Sequence, residues 1–145
     1  MNTKSRRLLA LIPWTLLPLL VVGYVTVWDR LPARLAIHFD IAGEPNGWMG
    51  RGAFLIYATV FLLFELSVFT LVLTTKYREL ASPFLLIAFY CVAAGETALV
   101  WQVLEYNATG TGIKWTWVAA AAATAAIVPV VAIFTGKHAR SSVAD

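Results

Sequence analysis

The amino-acid sequence predicts an all-α membrane protein, a polytopic four-helix bundle with an ordered extracytoplasmic loop between helices 1 and 2. Of its 145 residues, 60% are hydrophobic and only 13% are charged, whereas an average soluble domain has about 25% charged residues. So few charged side chains cannot cover a globule that faces water, and lipid is therefore the expected solvent. No segment is typical of a soluble catalytic domain, and no nucleic-acid partner is expected.

Four segments are long and apolar enough to cross the hydrocarbon core of a bilayer, which takes about 20 residues of helix. The predicted spans are residues 8–28, 52–75, 83–104 and 115–136. Two charged side chains fall inside them, Glu65 and Glu96. Ser82 followed by Pro83 is typical of an N-cap and a first helical position, so the third helix is expected to begin there.

Proline and alanine mark special points within these spans. Pro13 and Pro18 in the first span and Pro129 in the fourth each remove a backbone hydrogen bond, and each is expected to bend its helix. The fourth span also contains an alanine run at 119–123. Small side chains let helices approach closely, so this helix is expected to pack against protein, either within the bundle or across a homodimer interface.

The positions of lysine and arginine favour a multi-pass protein of the cell membrane with both termini in the cytoplasm. Cytoplasmic loops carry an excess of these residues, and with the N terminus inside, the inner segments hold seven and the outer segments four. The inner set is Lys4, Arg6, Arg7, Lys76, Arg78, Lys137 and Arg140, and the outer set is Arg30, Arg34, Arg51 and Lys114.

The loop at residues 29–51 is long for a connector between neighbouring helices, which typically takes roughly 2–8 residues. Residues 35–41 alternate between apolar and polar side chains, which is typical of a half-buried strand. The apolar set is Leu35, Ile37, Phe39 and Ile41, and the polar set is His38 and Asp40. Residues 43–47 have a turn composition, and the Trp48 indole suits the membrane interface. We expect an extended piece lying on the outer mouth of the bundle, with its apolar side down.

The same loop resembles the signature of the DUF1648 domain, which also occurs in SdpI-like immunity proteins of bacteria. The residues that carry the resemblance, called the loop motif here, are Pro32, Ile37, His38, Phe39, Gly43, Pro45, Gly47, Trp48 and Gly50. Asn46 stands where that family usually has aspartate, and Arg51 where it usually has lysine. The resemblance implies a bacterial or archaeal membrane protein. In the immunity branch, it also implies self-protection from a secreted toxin and signalling to a repressor.

Glu65 and Glu96 are the most unusual residues of the spans, because a charge at the bilayer centre costs about 2.5–3.5 kcal/mol on insertion scales. They are expected to face the bundle interior or a polar cavity. No lysine or arginine inside a span can pair with them, so at least one is expected to be protonated or to face water or a cation. At 1.5 Å of rise per residue, Glu65 lies about 19 Å and Glu96 about 12 Å below the outer surface. A direct pair would therefore need a tilted helix.

His38 and Asp40 are the candidate metal ligands of the loop. Histidine titrates near neutral pH and binds metals, but the spacing of the two residues matches no strong metal motif. His38 can equally hydrogen-bond the loop to a helix end. A metal therefore stays a candidate cofactor, and no other cofactor is evident.

Three kinds of function fit these features. The favoured one is a binding, accessory or immunity-like protein that recognises a peptide, a lipid or a partner chain at its outer face. A metal-dependent membrane hydrolase using His38, Glu65 and Glu96 is an alternative, which stoichiometric zinc lost on His38→Ala would support. A small proton-coupled transporter is another, which proton flux in liposomes abolished by Glu65→Gln would support.

Overall fold

The computed structural model describes residues 3–40, 42–75 and 82–141, and the side chains of residues 7–40, 42–75 and 82–134. The helices are α1 (Thr3–Leu11), α2 (Leu16–Val27), α3 (Arg51–Thr74), α4 (Pro83–Thr109) and α5 (Trp115–Ser141). The strands are β1 (Arg34–Phe39) and β2 (Pro45–Gly50). Ile41 of the predicted strand, and the inner loop with Lys76 and Arg78, lie outside the described residues.

Helices make up 79% of the chain, and four helical stretches are long and apolar enough to cross a membrane. They are Arg7–Arg30, Arg51–Thr74, Pro83–Thr109 and Trp115–Phe134. The all-α polytopic bundle predicted from composition is therefore confirmed, and the chain is a multi-pass membrane protein. The third span begins as its sequence indicates, because the Ser82 hydroxyl accepts a hydrogen bond from the backbone N–H of Leu85 at 3.1 Å.

The first span is broken between α1 and α2 by a 3₁₀ turn at Ile12–Thr15. Pro13 lies in this turn and has no N–H to donate to the carbonyl of Leu9, four residues earlier. The Tyr90 hydroxyl of α4 donates to that carbonyl instead, at 2.7 Å in a buried position. The proline therefore determines where the helix breaks. The carbonyl of Leu9, which has no helical partner there, is bound by a side chain of α4.

The loop between α2 and α3 folds as an antiparallel hairpin of β1 and β2. The strand expected from the alternating side chains is present, whereas the second strand was not foreseen. Ile37 is the extra residue of a bulge, because Ala36 pairs with Trp48 and His38 with the next residue along β2, Gly47. The bulge interrupts the regular pairing of the two strands, and Leu35 and Ala36 before it are both buried. We call the side of the bundle that carries this hairpin the hairpin end.

Three clusters of buried side chains fill the bundle. One lies beneath the hairpin and includes Tyr24, Leu35 and Phe54. A second joins α2 to α3 through Leu20, Ala58, Leu62 and Leu66. The third joins α1, α3 and α4 at the opposite end, and its members are Leu9, Ala10, Phe69, Leu73, Leu86 and Tyr90. The core is therefore built by the first three spans.

Helix α5 is peripheral and packs on α4. A Cβ placed on Gly95 of α4 would lie 3.7 Å from the Cβ of Ala122, so the alanine run does bring these two helices close together. Pro129 is buried within α5, whereas Ile127, Val131 and Phe134 are exposed. The alanine run therefore serves a contact within the bundle, which is one of the two arrangements that the sequence left open.

Candidate ligand-binding cavity

Arg51 fastens the hairpin to the helices at its base. Its guanidinium donates hydrogen bonds to the carbonyl oxygens of Trp28 at 3.2 Å and Leu31 at 3.1 Å. It also lies over the Trp28 indole, 4.5 Å from the ring centroid. The backbone carbonyl of Arg51 in turn accepts a hydrogen bond from the Tyr24 hydroxyl at 2.6 Å. One side chain thus binds two carbonyls at the end of the first span, and the Trp28 carbonyl also accepts the backbone N–H of Leu31 at 3.2 Å.

Asn107 attaches the other edge of the hairpin to α4. Its side-chain oxygen accepts a hydrogen bond from the N–H of Ala36 at 2.8 Å, and its amide nitrogen donates to the carbonyl of Ala36 at 2.9 Å. The same nitrogen donates to the carbonyl of Val103 at 2.8 Å. The Asn107 side-chain amide therefore makes the two hydrogen bonds to β1 that a neighbouring strand would otherwise make. This role could not be predicted from the sequence, because a single asparagine near a helix end belongs to no recognisable pattern.

His38 lies on β1, opposite Gly47 of β2. Its Nδ1 is hydrogen-bonded to the side-chain oxygen of Asn46. A Cβ on Gly47 would lie 2.9 Å from the Cβ of His38, which is well inside the usual carbon–carbon contact of about 3.5–4.0 Å. Glycine is therefore required at this position of the loop motif. His38 is held within the hairpin by a side chain of β2.

Asp40 shapes the turn of the hairpin. Its carboxylate accepts hydrogen bonds from the backbone N–H groups of Ala42 and Glu44, both at 2.9 Å. Its own backbone N–H donates to the carbonyl of Glu44 at 2.9 Å. Gly43 within this turn has a φ of +84°, a conformation that L-residues with side chains rarely adopt. Asp40 thus has a structural role that the sequence analysis did not consider.

The remaining residues of the loop motif line or flank the hairpin. Phe39 packs edge-on against Tyr106 of α4, with ring centroids 4.8 Å apart, and Ile37 packs on the cluster beneath the hairpin. Trp48 is 51% exposed, as expected of an indole at a membrane interface. Pro32 and Gly50 are exposed, and Pro45 begins β2 in a half-buried position.

A cavity of about 460 Å³ lies beneath the hairpin, between α3 and α4. Most of its walls are apolar, and they include Ile37 and Met49 from the hairpin and Phe54 and Leu62 from α3. Besides Tyr57, two ionisable side chains line it, His38 on β1 and Glu96 on α4. These two sequence-predicted residues therefore face one space, whereas Asp40 does not line it.

The cavity opens sideways toward the position of the lipid. Tyr57 and Phe61 of α3 line it and are also 56% and 45% exposed on the surface of the bundle. Their rings stack on each other, with centroids 6.0 Å apart. The cavity wall at Tyr57 and Phe61 therefore borders the surface of α3 that the lipid is expected to cover.

Glu65 of α3 does not line the cavity, but its carboxyl group lies close to the Glu96 carboxyl group of α4. The expectation that a direct pair would need a tilted helix stays a prediction. It placed the end of the third span at Leu104, whereas α4 continues to Thr109. Glu65 lies 14 residues after Arg51 and Glu96 lies 13 residues before Thr109. Both are thus about 20 Å from the hairpin end at 1.5 Å per residue.

The Glu65–Glu96 pair has few other polar neighbours. Oε2 of Glu65 is buried and has no donor among the described groups. Thr97 beside Glu96 donates its own hydroxyl proton to the carbonyl of Ala93 at 2.8 Å. The pair is therefore a set of acceptors that lacks donors.

Within the described ranges, no group of three or more histidine, cysteine, aspartate or glutamate side chains is placed to hold a metal ion. His38 contacts Asn46, and Asp40 binds the backbone of the turn. The metal site suggested by these two residues thus stays a prediction from the sequence.

The fold and the cavity define the class: a small multi-pass membrane protein with a hairpin-covered cavity at one end of its bundle. Residues 14–63 match the model of DUF1648, a domain of unknown function, so the chain carries a DUF1648 domain. The matched segment includes the hairpin and the first half of α3, but neither Glu65 nor any part of α4. Comparison with curated proteins and with solved structures found no match.

Proposed function

We propose that this chain is a membrane-embedded binding protein, which holds a lipid-like amphiphile in the cavity beneath its hairpin. The cavity carries this proposal, because its volume of about 460 Å³ lies within the range of about 300–1,000 Å³ that is usual for small-molecule sites. Apolar walls with a small number of placed polar groups are also usual for such sites. The lateral opening at Tyr57 and Phe61 gives the ligand a path from the bilayer.

The proposed setting is a bacterial cell membrane with both termini in the cytoplasm and the hairpin outside. The excess of lysine and arginine in the inner segments supports this orientation. An immunity-like role, in which the ligand is a toxic molecule that reaches the cell from outside, is one form of the proposal. Recognition of a peptide or of a partner chain, metal-dependent hydrolysis and proton-coupled transport stay predictions from the sequence.

Filling the cavity tests the proposed function. The Leu99→Trp variant places an indole among the lining residues, and it is expected to reduce the affinity for a twelve-carbon amphiphile at least about tenfold, or about 1.4 kcal/mol. Binding would be measured by native mass spectrometry of the protein released from nanodiscs. Dodecanol, dodecanoate and dodecylamine are the probes.

Leu85→Trp is the matched control, because Leu85 lies on the same helix, is 43% exposed and does not line the cavity. This variant should bind the probes as the unchanged chain does. The proposal fails if no probe binds the unchanged chain, or if Leu99→Trp binds them as tightly as Leu85→Trp. Circular dichroism of both variants verifies that each has folded.

A further inference from the structure

We infer that the ligand carries a protonated primary amine, which Glu96 binds with the support of Glu65. This inference rests on the proposed function and adds the chemistry of the ligand's polar end. It follows from the hydrogen-bonding groups that the cavity offers and from those that it lacks. No partner inside the described bundle supplies what these groups require.

Hydrogen-bond acceptors are grouped near the middle of α3 and α4. Glu96 lines the cavity, and its carboxyl group neighbours that of Glu65, whose Oε2 is buried without a donor. Beside them, the Thr97 hydroxyl has given its proton to the carbonyl of Ala93 and can only accept. An ammonium group has three donors and no acceptor, so it complements the Glu96 carboxylate and the Thr97 hydroxyl oxygen, which both line the cavity.

Among the described residues, no positively charged side chain lies at the depth of Glu65 and Glu96. Arg51 lies 14 residues before Glu65 on α3, which is about 21 Å along the axis. Lys114 lies beyond the end of α4, and its ammonium is 3.5 Å from the carboxylate of Glu105. A charge at the centre of a bilayer is usually paired. In this bundle, the ligand can supply the missing cation.

The side chains of the cavity that could donate a hydrogen bond lie away from Glu96. Tyr57 lies eight residues, about 12 Å along the axis, from Glu65. His38 lies on β1, at the hairpin end, and its Nδ1 is engaged with Asn46. Neither side chain belongs to the group of acceptors formed by Glu96, Glu65 and Thr97. A single alkyl chain therefore has apolar walls to follow, with its amine on Glu96.

The experiment compares the three twelve-carbon probes on the unchanged chain and on Glu96→Gln. In the unchanged chain, dodecylamine should bind at least about tenfold more tightly than dodecanol, and dodecanoate should bind most weakly. In Glu96→Gln, the preference for the amine over the alcohol should disappear while dodecanol still binds. Glu105→Gln is the matched control on the same helix outside the cavity, and it should keep the preference.

Three outcomes would overturn the inference. If dodecanol binds the unchanged chain as tightly as dodecylamine, the amine chemistry is wrong and the binding function stands. If no probe binds, the proposed function itself fails. If Glu105→Gln and Glu96→Gln reduce the preference equally, the effect is one of overall charge and not of the cavity. The first comparison uses no variant, so it holds even if Glu96→Gln fails to fold.

Discussion

At the scale of single residues, the structure shows how polar groups are satisfied where water is scarce. An unpaired polar group inside a membrane is costly, so most find partners within the protein. Arg51 binds two carbonyls at the end of the first span, and Asn107 satisfies both backbone groups of Ala36. Two described groups are different, because Oε2 of Glu65 and Oγ1 of Thr59 are buried without a partner. Of these two, the Glu65 carboxyl group lies beside Glu96, which lines the cavity.

Replacing Asn107 tests the attachment of the hairpin to α4. Asn107→Ala should lower the free energy of unfolding by about 2–4 kcal/mol, because it leaves the buried N–H and C=O of Ala36 without their side-chain partner. Chemical unfolding in detergent, followed by circular dichroism, measures the change. Asn46→Ala is the matched control, since Asn46 is exposed and water can replace its contact with His38. Equal losses in the two variants would contradict the special role of Asn107.

At the scale of elements, the hairpin depends on close contact between its two strands. Two glycines of β2 differ sharply in their surroundings. A Cβ on Gly47 would meet the Cβ of His38 at 2.9 Å, whereas a Cβ on Gly50 would have nothing within 4 Å. Gly50 also has an ordinary extended backbone, with φ −61° and ψ 138°. Only one of these glycines is therefore required by the fold.

Because Gly47 and Gly50 have different surroundings, alanine is expected to affect stability differently at the two positions. Gly47→Ala should lower the free energy of unfolding by about 1–3 kcal/mol, the usual cost of forcing an atom into a filled space. Gly50→Ala should lower it by less than about 1 kcal/mol, because its Cβ meets no other atom but alanine is a poorer N-cap for α3 than glycine. Thermal unfolding of the purified variants in one detergent gives the comparison. A Gly50→Ala loss as large as that of Gly47→Ala would show that the strand contact is not the cause.

At the scale of the whole molecule, the hairpin, the loop between α4 and α5, and the starts of α3 and α5 share one end of the bundle. Asn107 near the end of α4 holds β1, and α5 begins at Trp115, six residues after Thr109. Both connections therefore face the same side of the membrane. The orientation of the chain decides whether ligands reach the hairpin from outside the cell or from the cytoplasm.

Cysteine labelling tests the orientation that we propose. In a Cys91→Ala background, Ala42→Cys in the hairpin turn and Gly112→Cys after α4 should react with a membrane-impermeant maleimide on intact cells. Ser82→Cys, at the start of α4, should react only after the cells are permeabilised. The opposite pattern would place the hairpin in the cytoplasm. Labelling all three positions equally on intact cells would contradict a membrane-spanning α4.

The amino-acid sequence by itself determined the four spans, the helix start at Ser82 and Pro83, and the strand at the loop motif. Each of these depends on local hydropathy, capping or alternation, which neighbouring residues alone express. Only the tertiary structure decided that α4 extends past Leu104 to Thr109, because the polar residues of its last turns find partners on the hairpin and beside α5. That extension brings Glu96 level with Glu65. Glu65 and Glu96 meet beside one cavity because of the way α3 and α4 pack together. No local pattern in the sequence predicts that packing.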